Sequence, residues 1–242
     1  MVMSAGPEVS SARGIDSLPT WPAAGGGDID PGVLRLEDVE VTVVGAGRAG
    51  SQIALVLAML GARIRIYDGD RLGPENQGLQ LYRKRDVAAG RKKVQALRGF
   101  VRAIVPGCHI EVHAVPFAAR PDQQRSPVVV LAVDTMAMRR RLWERLRTQS
   151  GLLRLLDVRL GRGLVRLHEV RPEDAQDVAA YEASLYDDAA AAPGDCADET
   201  TAHAAAAAAA LIGGALRAFV DGLQRPRCIA LDLDRGIWAA GR

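Results

Sequence analysis

The chain has 242 residues, 48% of them hydrophobic and 25% charged, with a formal charge of +2. That is enough chain for one sizeable core with the balance of an ordinary soluble globular protein, and the near-neutral charge exerts no global pull toward nucleic acid or membrane. Its three cysteines, Cys108, Cys196 and Cys228, are far apart; this excludes a disulfide framework and a paired C-x-x-C zinc site, so a reducing cytoplasm and no structural zinc are expected.

Residues 1–32 carry no lysine, a single arginine (Arg13), several Pro and Ser and the run Gly25-Gly26-Gly27. This is not a signal peptide, and a flexible tail is expected ahead of a single domain over 33–242. Val39, Val41, Val43 and Val44 form a β-branched run that reads as a buried strand. Gly45-Ala46-Gly47-Arg48-Ala49-Gly50 follows and fits G-x-G-x-x-G, and Ser51 to Leu60 continues as an apolar, buried helix. In that order the first glycine turns strand into helix, the second lets the backbone approach a phosphate, and the third lets helix and strand pack closely. The helix N-terminus then offers free N–H groups to an anion. A nucleotide site is expected here in preference to a merely structural turn.

Arg63 to Tyr67 alternates as a second strand and delivers Asp68, where an acid can hydrogen-bond ribose hydroxyls. The pattern to this point suits a dinucleotide-binding oxidoreductase or an ATP-binding protein. One helix is expected from near Asp86 to Val105, stopped by Pro106-Gly107. His109 to Val115 reads as a strand whose His109 and His113, lacking an acid partner, are surface or packing residues. Pro127 to Val133 is a nearly continuous apolar run, hence a central parallel strand. It delivers Asp134 at its C-terminal end, where open α/β sheets place their ligands; Asp134 also suits the N-cap of the next helix.

Met136 to Arg147 is that helix, and Arg139, Arg140, Arg141, Arg145 and Arg147 read as its solvated face. No aromatic interleaving or known module accompanies these charges, so nucleic-acid binding is not expected. Leu152–Leu160 and Leu164–Val170 form a hairpin about Gly161-Arg162-Gly163, with Asp157 and Arg159 candidates to line a substrate channel. Pro172 to Tyr186 reads as an acidic helix and Asp187 to Thr201 as a crossover-like loop holding Cys196. Ala202 to Val220 contains seven consecutive alanines from Ala204. It is too weakly apolar for a membrane span and is expected to pack against the sheet or across a dimer axis, with His203 near its start a helix-terminus residue rather than a catalyst. Cys228 to Ala239 closes the chain as a hairpin about Asp234-Arg235-Gly236.

The loop after Asp68 separates the two nucleotide readings. Asp68 and Asp70, then Asn76 with Gln80, then Gly90 with Lys93, and finally Asp134 follow the glycine turn Gly45–Ser51 in the order G-x-G-x-x-G-S, D-x-D, N-x-x-R-Q, G-x-x-K, Asp. Over roughly Leu36 to Gly222 this strongly resembles the ThiF/MoeB-type adenylyltransferases, which include the catalytic domains of ubiquitin-activating enzymes. The resemblance implies an ATP- and Mg²⁺-dependent enzyme that adenylates the C-terminal carboxylate of a ubiquitin-like or sulfur-carrier protein ending in Gly-Gly. It implies that Gly45, Gly47 and Gly50 pass beneath the nucleotide, and that Asp68 holds the ribose. Asp70 and Gln80 border the same site, Asn76 and Lys93 reach the phosphates, and Asp134 holds Mg²⁺. Lys93, Asp134 and Asn76 are then the catalytic group. A homodimer is likewise implied, and Cys196 matches in position a cysteine that bonds the activated partner in thiocarboxylate-forming members.

Two departures stand against the pattern. Leu79 occupies the place of the family's arginine in N-x-x-R-Q, and the N-terminal R-Y-x-R-Q segment is not recognisable before Leu36. The expected fold is α/β, a Rossmann-like, mostly parallel sheet flanked by helices with antiparallel strands added toward the C-terminus. A catalytically weakened binding or regulatory subunit is the first alternative function, and an NAD-dependent oxidoreductase the second.

Overall fold

The computed structural model describes residues 35–78, 80–118, 126–187 and 202–241. One eight-stranded sheet, in the order β3-β2-β1-β4-β5-β6-β7-β8, organises them. Its strands are β1 (Glu40–Val44), β2 (Arg63–Tyr67), β3 (Ile110–His113), β4 (Val128–Leu131), β5 (Arg154–Leu160), β6 (Leu164–Val170), β7 (Cys228–Asp232) and β8 (Ile237–Gly241). The first five are parallel, and β6, β7 and β8 are antiparallel additions. The fold is the α/β, Rossmann-like arrangement expected.

Val41, Val43, Ile64, Ile66, Val128 and Val130 point to one face of the sheet, and Val44, Tyr67, Val129, Leu131 and Leu155 to the other. Strand residues alternate in direction, so two apolar layers need covering. The first is covered by α1 (Arg48–Met59), α3 (Lys93–Ile104) and α6 (Ala202–Val220), the second by α4 (Met136–Leu146) and α5 (Ala175–Ala183). α6 packs along α1 and onto β5 and β6. A Cβ on Gly213 would already lie 3.1 Å from Val56 and Leu60 side chains, so the small residues set this close approach. By length and composition α6 is apolar enough to cross a membrane, but half of its most apolar stretch is buried inside the fold. α1 is less enclosed than expected: Met59 and Leu60 are exposed at its end.

The single helix expected from Asp86 to Val105 is in fact two, α2 (Lys84–Ala88) and α3. Gly90 adopts φ +55° between them, a left-handed conformation that glycine takes without steric cost. Arg71 and Lys92 form an isolated antiparallel bridge, with Leu72 N–H donating to Arg91 O at 2.8 Å. The break stitches the loop after β2 to the start of α3.

The chain runs from β1 outward to β2 and β3, then crosses back to β4 on the other side of β1. Ligands of open α/β sheets bind at this reversal, outside the carboxyl ends of the strands. Register brings Val44 of β1 opposite Tyr67 of β2 and Leu131 of β4, so the residues that follow all three strands open onto one crevice.

Candidate nucleotide site

Gly45 turns out of β1 at φ +98°, and a Cβ there would run into the Ala132 carbonyl oxygen. A Cβ on Gly50 would collide with the Gly45 carbonyl oxygen. These two glycines serve the contact of turn, helix and β4. Gly47 differs: a Cβ there meets nothing within 4 Å, and Gly47 is the N-cap of α1 without a side chain to engage its amides. The turn therefore presents an open backbone surface and uncapped N–H groups to the crevice.

Gly47→Ala should leave stability within about 1 kcal/mol of the parent, because the methyl has room. It should nevertheless weaken nucleotide binding by at least about tenfold if phosphate rests on that backbone. Gly50→Ala should lose stability and binding together. Thermal unfolding and ATP titration of both variants check this contrast.

Asp68 follows β2 with both carboxylate oxygens engaged by backbone, Oδ2 accepting from Ala46 N–H and Oδ1 from Asp70 N–H, each at 2.8 Å. It thereby ties the glycine turn to the next loop. Tyr82, unassigned by sequence reasoning, supports the turn from beneath, its hydroxyl donating to Ala46 O. Burial, and then the charges of Asp68 and Asp70, raise the Tyr82 pKa far above the ordinary phenol range, so it remains a neutral donor.

Lys93 is the first residue of α3, and its backbone N–H donates to Asp70 O at 3.0 Å, which ties it to the loop after β2. Its Nζ lies 2.9 Å from Asp70 Oδ2, with the lysine side chain 13% exposed and the aspartate 70%. Burial acts to lower the Lys93 pKa, but the Asp70 hydrogen bond and the charges of Asp68, Asp70 and Asp134 outweigh it and leave the pKa raised. Lys93 is thus a cation paired with Asp70 and within electrostatic reach of Asp68 and Asp134. Asn76 is buried and accepts from Gly73 N–H through Oδ1 at 2.8 Å, which fixes its side chain and leaves its NH₂ to donate. Gln80 Oε1 is buried with no hydrogen-bond partner among the described residues.

Asp134 follows β4, exposed, in the loop before α4. The helix N-cap is Thr135, whose Oγ1 accepts from Met138 N–H at 3.2 Å, so the capping role suggested for Asp134 falls to its neighbour. The Asp134 carboxylate makes no hydrogen bond or ion pair among the described residues. Exposed and within electrostatic reach of Lys93, it fits the chemistry of a Mg²⁺ ligand, since Mg²⁺ takes one or two carboxylates and keeps waters and phosphate oxygens. The described residues contain no group of three or more His, Cys, Asp or Glu placed to hold a metal by themselves. Leu79 and Cys196 lie outside the described residues, as does the 1–32 tail.

Behind Asp134 lies a buried polar cluster. Arg139, expected on a solvated face, is 4% exposed, and Asp157 is fully buried at 0%. Arg139 Nε donates to Asp157 Oδ1 at 2.9 Å, while Asp157 Oδ2 accepts from Arg159 Nε at 2.8 Å and Tyr181 Oη at 3.2 Å. Arg159 continues to Ser184 and borders a cavity of about 280 Å³ lined by residues of β5, β6, β7 and β8. Asp157 is thus no open channel residue, whereas Arg159 reaches a cavity wall. Arg140, Arg141, Arg145 and Arg147 are exposed, as the sequence suggested. His113 was expected without an acid partner, yet its Nε2 lies 2.9 Å from Glu111 Oε1 and its ring stacks on Tyr67. His203, at the start of α6, lies 3.2 Å from Asp234 Oδ1.

His168 sits opposite Cys228 on β6, against the Tyr181 ring. Burial first, and the Arg159 charge second, push its pKa down to about 4, with Asp157 opposing. The folded protein holds His168 neutral, so its stability is complete above the unfolded value near 6.5. Stability is then lost as pH falls toward about 4, by up to about 3 kcal/mol. His168→Leu should flatten that part of the profile; urea unfolding midpoints between pH 7.5 and 4.5 check it.

A profile described as the ThiF family matches residues 24–149, more than half of the chain. The chain belongs to the ThiF family. No curated protein matches it in sequence. Among solved structures, PaaA aligns with a TM-score of 0.65 at 19% identity, over 84% of this chain and 64% of that one. E. coli MccB aligns at 0.65 and 16%, over 86% and 63%, and its structure with ATP at 0.64 and 16%, over 86% and 65%. These likenesses show the fold. This ThiF-family chain spans less than two thirds of the length of each neighbour.

Proposed function

We propose that this ThiF-family protein binds ATP with Mg²⁺ and adenylates a C-terminal carboxylate of a peptide or carrier protein. The observation that carries the reading is the chain of bonds from the uncapped glycine turn through Asp68 to Asp70 and Lys93, with Asp134 within electrostatic reach, at the reversal point of the sheet. MccB, a neighbour in fold, was crystallised with ATP and with MccA, which supports ATP as the nucleotide and a polypeptide as its partner. A ubiquitin-like or sulfur-carrier protein ending in Gly-Gly is the partner class we favour, with a narrow tail suited to reaching the α-phosphate. A homodimer and a cytoplasmic location belong to the same proposal.

In the reaction a carboxylate oxygen bonds to the α-phosphorus as the bond to the β-phosphate oxygen breaks and pyrophosphate leaves. Negative charge gathers on phosphate oxygens as this proceeds. Fixed donors placed there stabilise the transition state more than the ground state. Lys93 supplies a held ammonium, Asn76 an oriented NH₂, and the start of α1 its free amides; Asp68 keeps the turn in register and faces the ribose. Bound Mg²⁺, held by Asp134, would neutralise phosphate charge and assist departure of pyrophosphate.

Titration with ATP–Mg²⁺ and with NAD, then pyrophosphate exchange with peptides and carrier proteins bearing a free C-terminus, tests this. ATP binding with partner-dependent exchange is expected; NAD binding without ATP binding overturns it. A weakened regulatory subunit is the second reading, favoured by Leu79 where the family pattern has arginine. Leu79→Arg should raise exchange about tenfold or more by restoring the cation that the family pattern has at this position. ATP binding without exchange, unchanged by that substitution, selects the regulatory reading.

A further inference from the structure

We infer that Arg139 is a positioning residue that sets the direction of the Asp134 carboxylate; this rests on the ATP–Mg²⁺ reading of the site. Asp134 lies between the end of β4 and the Thr135 cap, and among the described residues no bond of its own carboxylate holds it. What holds its backbone is the residue before it. Arg139 Nη2 donates to Val133 O at 2.5 Å and to Val158 O at 3.2 Å, while Nε donates to Asp157 Oδ1 at 2.9 Å. One planar guanidinium thus spans the loop after β4 and the adjacent strand β5, with its charge balanced inside the protein by Asp157.

A buried guanidinium is an expensive way to fill this space, because apolar residues of similar volume often stabilise a core equally well or better. What it adds is geometry. Arginine presents several donors in a rigid fork, so it fixes three acceptors at once, whereas lysine offers a point charge on a flexible stem. The Val133 carbonyl is thereby pinned to the sheet, and the peptide leading into Asp134 with it. Ala132 N–H, donating to Val44 O at 2.9 Å, and the Thr135 cap secure the two sides of the same short loop. The Arg139 bond to Val133 is the tie between them.

Groups that orient a metal ligand typically contribute 10–100-fold to metal affinity or activity. Arg139→Lys keeps the charge opposite Asp157 but cannot reproduce the fork. It should weaken Mn²⁺ binding to the complex with the α,β-methylene analogue of ATP by about 10–100-fold, read by electron paramagnetic resonance. Metal-free affinity for the same analogue should stay unchanged. Should Arg139→Lys not fold, the double substitution Arg139→Met with Asp157→Leu removes the guanidinium together with its counter-charge, leaves Arg159 its bonds to Ser184, and should give the same split. Mn²⁺ affinity equal to the parent's in the folded variant overturns the inference. A parent that binds neither the analogue nor Mn²⁺ overturns instead the nucleotide reading beneath it.

Discussion

Asp134→Ala should abolish pyrophosphate exchange, a loss of at least about 10²–10³-fold, while the protein unfolds at the parent's temperature. The asymmetry follows from where the residue sits. Its carboxylate is exposed and makes no bond among the described residues, and the cap of α4 belongs to Thr135. Substitutions at such positions shift stability by less than about 0.5 kcal/mol. The same isolation is what a Mg²⁺ ligand requires, because a carboxylate already paired would have to give up its partner. Removing it also strips one of the three negative charges within electrostatic reach of Lys93. ATP binding in the absence of metal should therefore hold or tighten slightly as phosphate repulsion falls. Exchange assays with parallel differential scanning fluorimetry decide the matter: exchange retained at the parent rate rules out the metal role, and a large fall in unfolding temperature would show the carboxylate to be structural.

Much of this arrangement is legible in the residues alone. A valine run followed by G-x-G-x-x-G fixes strand, turn and helix because few other sequences satisfy buried parallel pairing and a left-handed Gly45 together. The boundaries of β2 and α6 fall where alternation and the alanine run place them. The break between α2 and α3 was missed because Asp86 to Val105 is helical in composition throughout. Gly90 alone betrays it, and the bridge of Arg71 to Lys92 that enforces it is a tertiary fact. Arg139 was hidden among neighbouring arginines. The signal was present nonetheless: Met136, Arg139, Trp143 and Leu146 recur at helical spacing, and the other three are core residues, which places Arg139 on the inward face. On β5, Leu155, Asp157 and Arg159 share one side of a strand, so an acid opposite a buried helix implies a cation on that helix.

The buried pair makes the second large expectation. Asp157→Ala should cost about 3–5 kcal/mol, much of the total for a typical domain, because it leaves the guanidiniums of Arg139 and Arg159 without their shared counter-charge. Arg159 borders a cavity, whereas Arg139 is held between α4 and β5 by Asp157 and two backbone carbonyls. Most of the penalty should therefore trace to Arg139, and adding Arg139→Met to Asp157→Leu should recover the larger part of it, a coupling that a double-mutant cycle in urea measures directly. Exchange should not recover with stability. The core would again be satisfied, but the Val133 carbonyl would have lost its donor and Asp134 its fixed approach to the phosphates. A double variant that regained both stability and exchange would mean that the cluster serves folding alone; one that regained stability without exchange separates what the buried charge does for the fold from what it does for the site.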